Sequence, residues 1–178
     1  MSVSKKAVGL SVFAVLLAFT AAVFFGCSSP SGTGSPVLIK SFECDMRVSS
    51  GGRNYLCRLR RDGESSVLTV REPAELEGLA LEYSGGVYSV SFKGLKMSLD
   101  DSKTQLTKHF SDAVMKILDK TFSLEEISAR RENGAWVYDG ETSYGAFELR
   151  FDGDGKILSV KIPKIETEIT MENFSEIK

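Results

Sequence analysis

The sequence contains few of the residues from which enzyme sites are built. It has a single histidine, His109, in 178 residues, and no cysteine or acid cluster accompanies it at metal-ligand spacing. A Ser/His/Asp set and a glycine-rich phosphate loop are also missing. These absences argue against the common hydrolytic, metal-dependent and nucleotide-dependent activities. We therefore expect a protein that is not an enzyme and that uses no metal or cofactor.

The sequence also lacks an excess of positive charge. The chain has 22 Lys and Arg residues against 24 Asp and Glu residues, a formal net charge of −2. The basic residues are interleaved with acids, whereas binding to nucleic acid requires a basic stripe because phosphate contacts dominate it. We therefore expect no nucleic-acid partner.

One apolar segment stands out at the N-terminal end. Lys5 and Lys6 precede an uncharged, mostly apolar stretch from Leu10 to Phe25, the pattern of a secretory signal peptide. The stretch is somewhat shorter than the roughly 20 residues of a spanning helix. Val8 and Gly9 could extend it, so the segment is either a signal peptide over residues 1–26 or an uncleaved N-terminal anchor, and the cysteine that follows it favours the signal peptide.

The end of this segment resembles the lipobox of bacterial lipoproteins. It reads Phe24-Phe25-Gly26-Cys27, with a small residue directly before the cysteine. The resemblance implies that Cys27 is the acylated, palmitate-bearing N-terminus of the mature chain. It also implies an extracytoplasmic protein that is lipid-anchored to the outer face of the cytoplasmic membrane. The outer membrane is an alternative location.

The rest of the chain divides into a tether and one domain. Residues 27–36 are rich in Ser, Gly and Pro, which is typical of a flexible tether. Residues 37–178 are enough for one domain with a hydrophobic core and too few for two.

Most of the predicted domain alternates apolar and polar residues, as half-buried strands do. Residues 42–48 and 55–59 are two such runs, and Gly51-Gly52 between them predicts a tight hairpin. In that register Asp45 lies opposite Arg58 and Glu43 opposite Arg60, which pairs opposite charges. Further turns and strands bring the predicted total to ten or eleven strands, with turns at 84–87, 133–134 and 152–155 and strands at 67–72 and 165–174.

One segment has helical periodicity instead. Apolar residues between 102 and 122 follow the i, i+4, i+7, i+8 pattern of an amphipathic helix, and Asp101 or Ser102 could cap its start. The predicted fold class is therefore α+β. It is a mostly antiparallel sheet curled into an unclosed half-barrel, with one long helix packed on its concave face.

The layout resembles the LolA/LolB superfamily of lipoprotein carriers. The resemblance is carried by the run EPAELEGLALEYSGGVYSVSFKGLKM and by FDGDGKILSVKIP with the alternating strand after it, and it extends over residues 37–174. Small LolA-like lipoproteins of the bacterial cell envelope, some of which serve germination, are the most similar group. The resemblance implies a concave apolar face that receives acyl chains or an apolar segment of a partner.

The candidate ligand-binding residues lie on the apolar faces of the predicted strands. They are Phe42, Met46, Tyr83, Tyr88, Phe92, Trp136, Tyr138, Phe147 and Phe151. Arg131 joins them because the Asn133-Gly134 turn sets it opposite Trp136, where a guanidinium can stack on the indole or meet a headgroup. The alternatives are that the apolar residues are ordinary core and that Arg131 bends to solvent at the rim.

Two functions remain open from the sequence. The first is the binding of a hydrophobic ligand, such as an acyl chain or a lipoprotein's lipid, in a concave apolar cavity. The second is a non-catalytic interaction module that holds an envelope protein such as a cell-wall or germination enzyme. An open apolar cavity would favour the first, and a filled barrel with an exposed apolar patch would favour the second.

Cys44 and Cys57 are candidates for a disulfide, because they share one face of the first hairpin in an oxidising compartment. A turn at Gly51-Gly52 makes them diagonal neighbours about 7 to 8 Å apart, too far for easy bridging. A turn at Ser50-Gly51 would place them directly opposite each other. The charge pairs favour the first register.

Overall fold

The computed structural model of the protein describes residues 33–100 and 109–177. The predicted signal peptide, the predicted lipidation site Cys27 and the predicted helix start at Ser102 lie outside the described residues. Within the described ranges, no helix combines the length and the apolar character that crossing a bilayer requires.

The described residues form one antiparallel sheet of twelve strands and one α-helix. The strands are β1 (Thr33–Gly34), β2 (Phe42–Ser50), β3 (Arg53–Asp62), β4 (Ser65–Glu72), β5 (Ala80–Ser84), β6 (Val87–Phe92), β7 (Leu95–Asp100), β8 (Ala129–Glu132), β9 (Ala135–Thr142), β10 (Gly145–Phe151), β11 (Ile157–Ile162) and β12 (Thr167–Glu176). The helix is α1 (Phe110–Phe122), and short 3-10 helices span Ala74–Leu76 and Pro163–Ile165.

The strands follow the order β1-β8-β9-β10-β11-β12-β2-β3-β4-β5-β6-β7, so β1 and β7 are the two edges and the barrel is not closed. The predicted fold class is confirmed. Apart from the two-residue β1, eleven strands are present, in line with the ten or eleven that the alternation predicts. The centre of the sheet joins β12 to β2, which are far apart along the chain.

The first hairpin has the register that the charge pattern predicts. Ser50 lies opposite Arg53, Asp45 opposite Arg58 and Glu43 opposite Arg60. The Arg58 guanidinium forms ion pairs with Glu43 and with Asp45, the latter at 3.3 Å. The two turn glycines have φ values of 54° and 75°, which side chains with a Cβ rarely adopt. Turn geometry and charge pairing therefore select the same register.

Sequence analysis did not predict the edge strand β7. Its hairpin with β6 turns at Lys93-Gly94, where both residues have positive φ, 49° and 84°. A lysine in the left-handed region is uncommon and is not a recognisable turn signal. The apolar residues of β7 alternate correctly, but the strand was not predicted because the turn before it was not recognised.

The predicted tether contributes the other edge of the sheet. Thr33 and Gly34 pair with Arg130 and Ala129 of β8. Gly34 lies directly against the indole of Trp136, since a Cβ added at Gly34 would stand 2.6 Å from Cη2 of that ring. The glycine therefore permits a close approach that any side chain would obstruct.

Helix α1 begins later than the sequence predicts. His109 has extended dihedral angles, φ −95° and ψ 141°, and the helix starts at Phe110 rather than at Ser102. Ten of the thirteen helical residues are buried, and the seven apolar ones among them form one core cluster with inward side chains of the sheet. Burying each large apolar side chain of this kind contributes about 1.5 to 3 kcal/mol. The helix thus fills the concave face.

Candidate functional site

Six of the predicted ligand-binding side chains are enclosed in the core. They are Phe42, Met46, Tyr88, Phe147 and Phe151, each at most 2% exposed, and Tyr83 at 8%. They lie on the concave face as predicted, but α1 covers them, and in the described part of the chain they line no open apolar cavity of ligand size. A role in ligand binding stays a prediction for these residues.

The other four candidates are partly or fully exposed. Trp136, Tyr138 and Phe92 are half-buried, and Arg131 is exposed. Arg131 pairs with Trp136 across β8 and β9, and its guanidinium carbon lies 5.5 Å from the indole centroid. Arg131 thus lies opposite Trp136 with its guanidinium over the indole and is exposed at the rim, and a ligand-binding role for these four residues stays a prediction.

A small apolar pocket lies between the sheet and the start of α1. Its volume is about 130 Å³, well below the roughly 300 Å³ at which pockets for drug-sized ligands begin. It is lined by Leu68, Val70, Leu79, Leu81, Val90, His109, Phe110 and Ser111. The pocket is too small for a long acyl chain in the observed conformation.

The apolar surface continues from this pocket to the open edge of the sheet. Val90 pairs with Met97 and Phe92 with Leu95, so all four side chains share the concave face. Leu95 is 79% exposed and Met97 61%. We call these four residues the β7 patch. Among the described residues β7 pairs with β6 alone, so its outer edge also presents backbone hydrogen-bonding groups.

A buried carboxylate connects α1 to both sides of the sheet. Asp112 is 3% exposed and accepts hydrogen bonds from the hydroxyl groups of Tyr88 and Tyr144. Lys116 lies one helical turn further on, with its Nζ 3.2 Å from Asp112 Oδ2. Tyr88 belongs to β6, and Tyr144 to the turn between β9 and β10. We call Asp112 and these three partners the Asp112 cluster.

A polar cleft opens at the other end of the helix. It has a volume of about 510 Å³ and is lined by Lys40, Arg61, Gly63, Glu64, Tyr83, Gly85, Gly86, Asp119, Phe122 and Ser123. The hairpin tips between β3 and β4 and between β5 and β6 form one side, and the last turn of α1 forms the other. We call it the Arg61 cleft.

Arg61 is the buried charge of this cleft, at 3% exposure. Its Nη1 donates a hydrogen bond to Ser66 Oγ at 2.9 Å, and its guanidinium carbon lies 4.9 Å from the Phe122 centroid. Its Nε has no hydrogen-bond partner among the described residues. Burial lowers the pKa of Arg61, and the charges of Asp119 and Glu64 oppose that shift.

His109 has a structural setting. It forms a 2.9 Å hydrogen bond with Ser111 through Nδ1 and packs against the rings of Tyr55 and Phe110. Burial lowers the pKa of the imidazole. In residues 33–100 and 109–177, no group of three or more His, Cys, Asp or Glu side chains is arranged to hold a metal ion.

Both candidate disulfide cysteines are free thiols in the core. Cys44 lies opposite Leu59, and Cys57 lies opposite Met46, so the two cysteines are diagonal neighbours. Burial raises the pKa of each thiol to about 12. The register with the Gly51-Gly52 turn therefore separates the thiols, and burial keeps them in the unreactive protonated form.

Sequence analysis did not identify Asp112 or Arg61 as notable residues. A local signal did exist for Arg61, since it continues the apolar face of β3 two residues after Leu59. A charged side chain at a core-facing position is rare unless it is paired or functional. Asp112 has no such local signal, because its hydroxyl partners come from residues 24 and 32 positions away.

The geometry defines an unclosed half-barrel that a helix fills, with an apolar edge patch and a polar cleft at opposite ends of that helix. Comparison with known proteins finds no matching protein-family model and no matching curated protein. Solved structures do match.

Three of the similar structures cover most of the chain. An uncharacterized conserved protein from Thermus thermophilus is 13% identical, with 79% of this chain and 81% of that chain covered and a TM-score of 0.47. The LolA superfamily protein NE2245 from Nitrosomonas europaea is 9% identical, with 81% and 89% covered and a TM-score of 0.40. A chain from the CwlD amidase of Clostridioides difficile in complex with the GerS lipoprotein is 14% identical, with 100% and 95% covered and a TM-score of 0.43. One of these three structures is of a LolA superfamily protein.

Proposed function

We propose that this protein is a non-catalytic interaction module that holds an envelope protein through the β7 patch. One observation carries the proposal: the half-barrel is filled by α1, whereas Leu95 and Met97 at its open edge are 79% and 61% exposed. Exposed apolar patches on a folded domain mark interaction surfaces. A filled barrel with an exposed apolar patch favours an interaction module, whereas an open apolar cavity would favour a ligand carrier.

The chemistry of the edge defines the kind of partner. β7 offers unpaired backbone groups along one side and apolar side chains on the concave face, so an extended segment can add to the sheet and place alternate apolar residues over Leu95 and Met97. The opposite face is polar, since Lys96 pairs with Glu82 at 3.4 Å. The partner is therefore an envelope protein with an exposed strand of alternating apolar residues.

The predicted N-terminal segments place this module at a membrane. A signal peptide over residues 1–26 and a lipid on Cys27 would hold the domain outside the cytoplasm by a short tether. A tethered domain needs only modest intrinsic affinity for a partner in the same layer, because anchoring raises their effective concentration.

Binding of a hydrophobic ligand is the second candidate, and one observation favours it. The 130 Å³ apolar pocket and the β7 patch share Val90, so apolar surface runs without interruption from the start of α1 to the sheet edge. An acyl chain could bind there if α1 moved away from the sheet at Phe110. The predicted ligand residues buried beneath the helix would then become accessible.

Site-specific photo-crosslinking distinguishes the two candidates. A photoreactive amino acid replaces Met97 in the full chain in living cells, and the matched control replaces Leu158, a 38% exposed apolar residue on β11. We expect a protein adduct from position 97 that is lost when Leu95→Asp is added, and none from position 158. A lipid adduct alone at position 97 would support the ligand carrier instead, and equal adducts at both positions would refute a specific patch.

A further inference from the structure

Arg61 is a buried cation without a direct ion pair among the described residues, although the charges of Asp119 and Glu64 act on it. The side chain is 3% exposed, makes no ion pair with any described residue, and has one neutral hydrogen-bond acceptor, Ser66 Oγ. Its Nε has no partner among those residues. Stacking on Phe122 offsets only part of the desolvation of the guanidinium, which costs several kcal/mol per buried ion. A protein retains such an arrangement where an external group completes it.

The cleft in front of Arg61 has the size of a ligand site. Its volume of about 510 Å³ falls within the range of about 300 to 1,000 Å³ for small-molecule pockets. Gly63, Gly85 and Gly86 form the hairpin tips at its wall, and nothing lies within 4 Å of a Cβ built on any of them. No neighbouring group therefore crowds these three tips.

The charges of the cleft are of both signs. Lys40 adds a second cation to Arg61, while Glu64 and Asp119 add two acids. The last turn of α1, at Phe122 and Ser123, also forms part of the wall, and carbonyl groups at a helix C-terminus favour positive charge. The cleft thus offers a guanidinium for an anionic group, and acids together with helix carbonyl groups for a cationic one.

We propose that the Arg61 cleft binds a zwitterion of the amino-acid type, either a free amino acid or a short peptide with both termini free. Its carboxylate pairs with the Arg61 guanidinium, whose planar fork matches the two oxygens. Its ammonium group lies toward Asp119, Glu64 and the end of α1. Inorganic phosphate fits less well, because both acids would repel a dianion.

This site is distinct from the β7 patch and does not depend on the proposed docking function. The patch lies beside the Phe92 end of β6 and the start of α1, whereas the cleft lies at the Gly85-Gly86 end of the same strand and at the end of the helix. The two surfaces can therefore be altered separately.

Titration calorimetry of the full chain in detergent tests the proposal with five probes. They are L-alanine, L-alanyl-L-alanine, acetate, methylammonium and inorganic phosphate. We expect at least one of the first two to bind about tenfold or more tightly than the last three, because only a zwitterion uses both sets of charges. Phosphate or acetate binding as tightly as the best zwitterion would overturn the proposal, and so would the absence of any binding.

Variants link binding to the named side chains. Arg61→Gln should weaken binding of the zwitterion by about tenfold to a hundredfold, the usual effect of losing a charged hydrogen bond. Arg60→Gln is the matched control, because Arg60 is the neighbouring residue of β3 and is exposed on the other face, and it should change nothing. Asp119→Asn should reduce the affinity for the zwitterion toward that for acetate, and it should not weaken acetate binding, because it removes a negative charge from the cleft.

Arg61→Lys keeps the positive charge, and it replaces Arg61→Gln in the binding experiment if Arg61→Gln does not fold. It should fold and bind at least about tenfold more weakly, because an ammonium lacks the planar fork. Unfolding of both Arg61 variants would identify a purely structural residue and overturn the proposal. Wild-type affinity in Arg61→Lys or in Asp119→Asn would do the same.

Discussion

Asp112 and Arg61 are the two charged side chains that are buried among the described residues, each at 3% exposure. Asp112 accepts hydrogen bonds from two tyrosine hydroxyl groups and forms an ion pair with a lysine. Arg61 donates one hydrogen bond to a serine hydroxyl group and packs on an aromatic ring. The first environment satisfies its charge and the second does not. Burial alone therefore does not reveal what a charged residue does, and the number and charge of its partners are more informative.

The partners of Asp112 explain why its charge is satisfied. Tyr88 lies on β6, next to the edge strand β7, and Tyr144 precedes β10 on the other side of the sheet. One carboxylate on α1 therefore connects both flanks of the sheet to the helix that fills it. Arg61 has no comparable polar partners from distant elements, since Ser66 is only five residues away on the next strand and its contact with α1 is the ring of Phe122.

The strongest test of this comparison is the removal of Asp112. Asp112→Ala removes the carboxylate that pairs with the Lys116 ammonium group and accepts hydrogen bonds from two tyrosine hydroxyl groups. We expect the free energy of unfolding to fall by about 3 to 5 kcal/mol, measured by urea denaturation of the full chain. Asp154→Ala, at an acid whose side chain is 80% exposed, is the control and should stay near the wild-type value. A loss below about 1 kcal/mol in Asp112→Ala would contradict the structural role.

The reciprocal test replaces Arg61 by an apolar side chain of similar length. Arg61→Met removes a buried charge that lacks an ion pair, and such replacements are often neutral or stabilising. We expect the free energy of unfolding to stay within about 1 kcal/mol of the wild type or to rise, in the same denaturation experiment. A loss of about 3 kcal/mol or more would show that Arg61, like Asp112, stabilises the folded state.

The smallest expected effect extends the comparison to a titratable group that is exposed but packs its ring against Tyr55 and Phe110. Burial lowers the pKa of His109 from its usual 6.5, so the unfolded chain takes up a proton before the folded chain does. Stability should be highest above pH 6.5 and should decrease as the pH falls toward the lower pKa of the folded state. Unfolding midpoints at about pH 7.5 and about pH 5.5 measure this decrease. His109 is the only histidine, so His109→Gln should remove the difference, and an unchanged difference would assign it to other groups.

The sequence predicted the fold better than the sites, because different physical signals determine them. Hairpins such as that at Gly51-Gly52 follow from local turn chemistry and from charge pairs a few residues apart. The start of α1 could not be predicted, because the apolar periodicity continues upstream of the extended His109. The β7 patch was not predicted because strand β7 was not predicted. The turn before that strand uses Lys93 in a left-handed conformation, which is not a recognisable turn signal.

The candidate sites depend on side chains from distant segments. The Asp112 cluster needs hydroxyl groups from β6 and from the turn before β10, and their arrival at one carboxylate is a property of the curled sheet. The Arg61 cleft combines two hairpin tips with the end of a helix. Only the position of Arg61 on the apolar face of β3 was visible beforehand, and it indicated an unusual residue without indicating a cleft.

The position of β12 has a consequence for how the chain reaches its folded state. Ser50 of β2 bonds to Thr167 of β12 across 117 residues, and this seam runs through the middle of the sheet. A ribosome or a translocation channel releases the chain from its N-terminal end, so β2 has no partner on that side until almost the whole domain has emerged. Folding that depends on such distant pairing is slow and late. A chain with this topology therefore completes the middle of its sheet only after nearly all of the domain has been released.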